Sequence, residues 1–320
     1  MNRRTLLGAL ALAPIAAPAF GQAWPPRAVR IVVPFAPGSF TDASARLLAH
    51  ELTEQLGQQV IVENRTGAGG TVGTTAVVRA DPDGTTLLLS DNSLSISPGL
   101  YRNLPYDPLR DLAQVSRIAN SPSILLVRPG LGPKTVAELV DLAKRRPGEL
   151  TFGSGGQGSS AHLAMELMLN VAEIRALHVP FRGVAAAIAD VIAGRVDMAI
   201  ASLATGVRHV TAGTLLGFGV TGEQRSPLLQ QVPTFIEAGL PRYDMSYWWG
   251  IAAPAATPPD IVARLNREVG RACAQPRLRE AFEKQAATAV TSTPEKMTRF
   301  LAREVGVWRE VIARAGVRVE

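Results

Sequence analysis

Short apolar runs alternate with longer segments of helical period along most of the chain. That alternation predicts repeated βαβ units and mainly parallel sheets. Val29-Arg30-Ile31-Val32-Val33 reads as a first strand, and Leu48, Leu52 and Leu56 mark one face of the following helix, which Gly57 ends. Val60-Ile61-Val62 predicts a second strand. Gly67, Gly69, Gly70 and Gly73 form a glycine-rich turn opening a helix toward Ala80, and Leu87-Leu88-Leu89 is a third strand after the turn Asp81-Pro82-Asp83-Gly84.

A second set begins at Ile124-Leu125-Leu126-Val127. Thr135 can cap a helix that ends at Pro147-Gly148. Leu150-Thr151-Phe152 then predicts a strand, Gly153 to Ser160 a glycine-rich loop, and His162 to Asn170 a helix. Leu177-His178-Val179 is a strand, Gly183 to Ala193 a helix, and Asp197 to Ala201 a strand. Past Pro241 the pattern changes: Tyr247-Trp248-Trp249-Gly250-Ile251 is apolar and aromatic, and three helical stretches close the chain. The last carries Met297, Leu301, Val305, Trp308 and Ile312 on one face. Such a tail cannot make a domain alone, so it is expected to pack back on the first lobe. The chain then crosses between lobes near residues 123 and 245, and two crossovers make a hinge. The expected division is a leader over 1–23, one lobe from 24–123 plus 246–320, and a second lobe from 124–245.

Length and composition agree. The 320 residues suit two domains, and 47% apolar residues supply a large core. The formal net charge is +6; without Arg3 and Arg4, 31 basic residues face 27 acidic ones. That mild excess can steer anionic ligands but lacks the basic stripe that nucleic-acid binding requires. The densest run, Lys144-Arg145-Arg146, falls at a helix C-terminus, where cations complement the dipole.

Met1 to Ala23 reads as a targeting signal: Arg3-Arg4, an apolar run from Leu6 to Leu12, and a small-x-small cleavage site at Gly21-Gln22-Ala23, with Ala17-Pro18-Ala19 as a second candidate. Asn2-Arg3-Arg4-Thr5-Leu6-Leu7 fits a twin-arginine signal and a plain Sec signal equally. Either way the mature protein is expected in the periplasm. The single cysteine, Cys273, shares a stripe with Ile261, Leu265 and Val269 and reads as core rather than as a reactive thiol.

Three loops sit where α/β folds bind ligands, after a strand and at the start of a helix. They are Phe35-Ala36-Pro37-Gly38-Ser39-Phe40-Thr41-Asp42, Thr66-Gly67-Ala68-Gly69-Gly70-Thr71, and Gly153-Ser154-Gly155-Gly156-Gln157-Gly158-Ser159-Ser160. Each offers free backbone N–H groups and a positive dipole end, and glycine lets an anion approach closely. Asp42 reads as an N-cap rather than a ligand contact. Gly153-x-Gly155-x-x-Gly158 matches the dinucleotide fingerprint literally, but the region about twenty residues on reads Arg175-Ala176-Leu177-His178 and supplies no ribose-binding acid. No cofactor is expected.

Nothing in the sequence marks an enzyme. There is no Gly-x-Ser-x-Gly elbow and no His-Glu-x-x-His, and His50, His162, His178 and His209 lack metal-ligand spacing. His162, beside the third loop, reads equally as a ligand contact or a loop support. His178 reads as a satisfied core group, Arg182 as solvated, and Trp248-Trp249 as packing.

Taken in order, the motifs resemble the Bug-type proteins, the periplasmic substrate-binding components of tripartite tricarboxylate transporters. The resemblance runs through Val32-Val33-Pro34-Phe35, Val62 to Gly70, Asp81 to Gly84, Tyr106-Asp107-Pro108, and Lys134 to Leu139. It continues with Phe152 to Gly156, His162-Leu163-Ala164, His178 to Gly183, Gly194 to Asp197, Val232-Pro233-Thr234, and Glu237 to Pro241. It implies a two-lobed Venus-flytrap α/β fold that binds a small organic carboxylate through main-chain groups and ordered water, delivery to membrane transporter subunits, and no catalysis. The site residues it implies are Phe35, Ala36, Pro37, Gly38, Ser39, Gly67, Ala68, Ser154, Gly155, Gly156, Gln157, Gly158, Ser159, His162 and Asp197. A monomer is the default state. Where the family has a Gly-Gly pair in the first loop, this chain has Ser39-Phe40. Either the pocket is reshaped toward a less polar, even aromatic, carboxylate, or Phe40 turns into the core. Two other readings stand beside uptake: a ligand sensor that signals to a membrane receptor, and a secreted hydrolase.

Overall fold

Strands form here where β-branched and apolar residues run together, and helices where leucine and alanine recur at three- and four-residue spacing. The computed structural model describes residues 24–317, so the leader expected over 1–23 lies outside the described residues. The first set of elements is β1 (Val29–Val33), α1 (Phe40–Leu56), β2 (Val60–Asn64), a short turn at Ala68–Gly70, α2 (Thr71–Val78), β3 (Thr86–Asp91) and α3 (Ser93–Leu100). A long strand β4 (Leu112–Val127) follows, then α4 (Val136–Arg145), β5 (Thr151–Ser154), α5 (Ser160–Ala172), β6 (Leu177–Pro180), α6 (Val184–Ile192), β7 (Met198–Ser202), α7 (Leu203–Thr211) and β8 (Leu216–Val220). The chain closes with β9 (Ser246–Pro254), α8 (Pro259–Ala274), α9 (Pro276–Glu283), the two-residue β10 (Thr288–Ala289) and α10 (Pro294–Ala315).

Strand order is β2-β1-β3-β9-β4-β7-β5-β6, with β8 and β10 also on β4. The flanks are parallel, as the βαβ pattern predicts: β2–β1–β3 on one side and β7–β5–β6 on the other. The middle is antiparallel, because β9 runs against both β3 and β4, and β4 runs against β7 and β8. Strand β4 changes partner partway: Leu112 through Pro122 pairs β9, whereas Ser123 through Val127 pairs β7.

Both faces of these strands are buried, so alternate residues enter different cores. Val29, Ile31 and Val33 pack with Leu48 and Leu52 of α1, while Val32 joins Leu88, Trp248, Met297, Leu301 and Val305 on the other side. In β4, Leu125 and Val127 face the first cluster, and Ile124 and Leu126 meet Ile188, Val191, Ala199 and Ala201. The predicted stripe of the last helix is buried along its length. Cys273 is buried on α8, and burial pushes its thiol up to about 12, which keeps it protonated.

At the point where β4 changes partner, the second connecting segment runs alongside and the two are bonded together. The buried Thr221 Oγ1 accepts from Ser123 N (2.8 Å) and donates to Met245 O (2.8 Å), while Tyr243 Oη lies 3.1 Å from Ser123 Oγ.

Candidate functional site

The first loop is held in shape before any ligand arrives. Ser39, not Asp42, is the N-cap of α1: its Oγ accepts from Asp42 N at 3.2 Å. Asp42 sits one turn inside, where its carboxylate accepts from Gly38 N (3.3 Å), Asn64 Nδ2 (2.9 Å) and two Arg46 nitrogens at 3.0 Å each. Burial alone would raise this carboxyl, but the bonds from Arg46, Asn64 and Gly38 hold it below its ordinary range. Asn64 also donates to Phe35 O at 2.9 Å, which pins the start of the loop. Ala36, Pro37 and Gly38 remain exposed, and Phe35 and Ser39 are half-buried. Phe40 turns into the core, where it packs on Trp249 (ring centroids 4.3 Å) and Phe282 (5.4 Å). Of the two placements the sequence leaves open for Phe40, the structure has the one in the core.

The second loop meets the first and the β3–α3 junction. A side chain at Gly70 would come within 3.4 Å of Phe35 Cζ and 3.2 Å of Ser93 Oγ, and one at Gly69 would come within 2.9 Å of Tyr101 Oη. Gly67 and Ala68 are exposed.

The third loop comes from the other side of the β4 transition and is braced by histidines. Ser154 Oγ accepts from Gly156 N (3.1 Å) and lies 2.6 Å from His178 Nε2. His162 is buried; its Nδ1 accepts from Gly158 N at 2.9 Å, and its Nε2 lies 3.6 Å from Glu166 Oε1. The two imidazoles stack at 3.8 Å and 10°, with Phe152 against His178 at 4.9 Å. Burial, and then the neighbouring His162, push His178 down to about 4, so it is neutral at pH 7. His162 thus supports the loop rather than offering a free nitrogen. Ser159 caps α5 by accepting from His162 N, and Gly155, Gly156 and Gln157 keep contact with solvent. Gly158 is buried with φ +74°, and its α-carbon faces Leu100 so closely that a Cβ there would lie 1.9 Å from Cδ2. The end of α3, Leu100 and Tyr101, thereby lies between the second and third loops.

Asp197 does not join these residues. It stands just before β7, at the end opposite Ser202, where its carboxylate accepts from Arg128 Nε (2.9 Å), Thr151 N (2.9 Å) and Thr151 Oγ1 (3.0 Å). Thr151 begins β5 and Ser154 ends it, so Asp197 ties strand starts together on the far side from the loops.

The β3–α3 junction adds residues that the sequence pattern does not mark. Asp91 ends β3 opposite Trp249 of β9, and its Oδ1 accepts from Ser93 N at 2.9 Å. The fully buried Asn92 accepts from Trp248 N (3.0 Å) and donates to Ser246 O (3.1 Å), locking this junction to β9. Its place after a strand and before a helix was the signal; the serine-rich α3 with Pro98 inside carries no helical period to reveal it.

Three strand-to-helix junctions in one half and a braced glycine loop in the other approach one another at Leu100 and Tyr101, with the N-termini of α1 and α5 at the ends of the first and third loops. Backbone N–H groups at such termini suit a small anion. No group of metal-ligating side chains occurs among the described residues.

The chain as a whole is similar to known proteins. The family model "Tripartite tricarboxylate transporter family receptor" matches residues 44–317. The protein BugT of Bordetella pertussis is 36% identical over 326 residues, covering both chains completely. Among solved structures, an R. palustris protein with adipate superposes with a TM-score of 0.87 at 33% identity, over 92% of this chain and all of that one. MatC of Rhodopseudomonas palustris with bound malate gives 0.85 at 31% identity, over 90% and 100%.

Proposed function

This chain belongs to the tripartite tricarboxylate transporter receptor family, and we propose that it is exported to the periplasm, where it captures a small organic carboxylate between two lobes and hands it to the membrane subunits of such a transporter. The observation that carries the reading is the approach of the first and third loops, with the N-termini of α1 and α5 at their ends, in a fold whose structural relatives hold adipate and malate. Residues 24–123 with 246–320 act as one lobe and 124–245 as the other. The bonded crossover at Ser123, Thr221, Tyr243 and Met245 is the hinge.

The ligand docks first against the Phe35–Ser39 loop, and the Ser154–Ser159 loop then closes over it. Closure is driven only by interactions that the open form lacks. Two helix dipoles and backbone N–H groups replace the carboxylate's water without an arginine clamp. The Ser154–His178 pair is a loop brace and not a nucleophile, because the serine is fully buried and already bonded to Gly156. The leader directs export and is removed after Ala23.

Native mass spectrometry of the protein taken from the periplasm tests this directly. The expected species begins at Trp24 and carries one small acid that is lost on refolding. A protein that retains residues 1–23 overturns the processing, and one that never carries or rebinds an acid overturns the capture role.

A further inference from the structure

Asp91 is an unusual group to find in a cleft built for anions. It ends β3 at the edge from which the ligand loops spring, and it keeps contact with solvent although protein encloses it. Its bonding partner Ser93 abuts Gly70, which in turn abuts Phe35 of the first loop. No Arg, Lys or His among the described residues forms an ion pair with it. Burial raises its carboxyl to about 6, against the pull of the Ser93 bonds, so near pH 7 it stands as an uncompensated anion.

A second group nearby also lacks a partner. Tyr247 lies two residues before Trp249 on β9, on the same face, and Trp249 is the cross-strand neighbour of Asp91. The side chain is 9% exposed, and its hydroxyl is buried with no hydrogen bond. It is close enough that the charge of Asp91 helps push the phenol up, after burial and along with Tyr243. A buried hydroxyl without a hydrogen-bond partner and a carboxylate without a cation, on the same face of adjacent strands and one register step apart, make a poor structural element and a good half of a binding site.

We propose that Asp91 and the Tyr247 hydroxyl form a second polar subsite in the cleft that receives an ammonium group of the ligand, so that the preferred ligand is an amino-bearing carboxylate rather than a plain mono-, di- or tricarboxylate. This rests on the cleft reading above and narrows its ligand class. The helix N-termini hold the carboxylate; Asp91 supplies the opposite charge for the ammonium, and Tyr247 accepts from it or orients it. A plain dicarboxylate would bring a second anion against Asp91 and lose affinity by that repulsion.

The test is calorimetric titration of refolded protein with matched pairs of acids from three to eight carbons and with benzoates, each pair differing only by an amino or second carboxyl group. The expected result is at least about tenfold tighter binding of one or more amino members than of the matched plain and dicarboxylic acids. Asp91→Asn should erase that preference while leaving plain acids bound. Tyr247→Phe, which removes a hydroxyl that no protein group uses, should keep the melting temperature and weaken only the amino ligand. If dicarboxylates bind as tightly as their amino counterparts, or if Asp91→Asn leaves the ratio unchanged, the subsite is refuted while carboxylate capture stands. If no acid of any kind binds, both fall.

Discussion

Ser154 Oγ lies 2.6 Å from His178 Nε2, and the same imidazole stacks at 3.8 Å on His162, whose Nδ1 holds the amide of Gly158. One histidine pair therefore fixes both ends of the third loop. His178 is held neutral there by burial, and this gives the loop a defined response to acid.

His178 titrates at about 4 in the folded chain against an ordinary 6.5, so the folded state loses stability as pH falls through that interval. Asp91 has the opposite sign. Its folded value, about 6, exceeds the ordinary 3.8, so its contribution is fully present below 3.8 and is lost as pH rises through 6. The two contributions oppose each other over much of the same range. Melting temperatures taken across it should change little from these two groups in the wild type, drop more steeply on acidification in Asp91→Asn, and drop less steeply in His178→Gln. Parallel curves for all three proteins would refute both assignments.

Gly158 of the third loop packs directly against Leu100 at the end of α3. Gly158→Ala places a methyl 1.9 Å from Leu100 Cδ2 and adds the cost of a left-handed residue, about 1 kcal/mol. On the proposed closure the clash arises only as the two loops come together, so the variant should stay folded and bind ligand at least about tenfold more weakly. Leu100→Ala in the same chain should restore part of that affinity. Titration of the single and double variants decides it, and equal affinity in Gly158→Ala would show that the contact is not part of closure.

Thr221 bonds both connecting segments at once. Thr221→Val keeps the shape and removes the hydroxyl, leaving Ser123 N and Met245 O buried without partners. The expected cost is about 2 kcal/mol in denaturant unfolding. A variant as stable as the wild type would remove this residue from the hinge.

Asp197→Asn separates structure from site. The lost charge leaves Arg128 unpaired at the start of β5 and β7, so stability should fall by about 1–3 kcal/mol while ligand affinity stays within about twofold. A selective loss of affinity would return Asp197 to the binding residues.

Much of the architecture was legible because buried parallel strands are written as continuous apolar runs. Val29–Val33, Leu87–Leu89 and Met198–Ala201 show this, and the stripe from Met297 to Ile312 has one period throughout. The first part of β4 was not legible, since Gln114, Ser116, Asn120 and Ser121 break the apolar run. Gln114, Ser116 and Ser121 are nonetheless buried, and both serines are bonded. Loop positions could be read because strand, glycine and helix start adjoin in sequence. What could not be read were partners far apart in the chain: Asp197 with Thr151, Ser154 with His178, Asp91 with Trp249. Asp197 was misplaced because its motif adjoins the second lobe's loops in order, whereas the strand carries it to the opposite end. Asp91 escaped notice because an acid is not what an anion site suggests.

The most direct test of the central claim is a thermal-shift titration of refolded protein starting at Trp24 with mono-, di-, tri- and amino-carboxylates. Capture in the cleft predicts that at least one acid raises the melting temperature in a concentration-dependent way, corresponding to about 2.7 kcal/mol at a hundredfold excess over its Kd. Gly156→Asp, which sets a carboxylate in the third loop, should abolish the shift. A shift of the same size in Gly156→Asp, or no shift with any acid, would contradict the account.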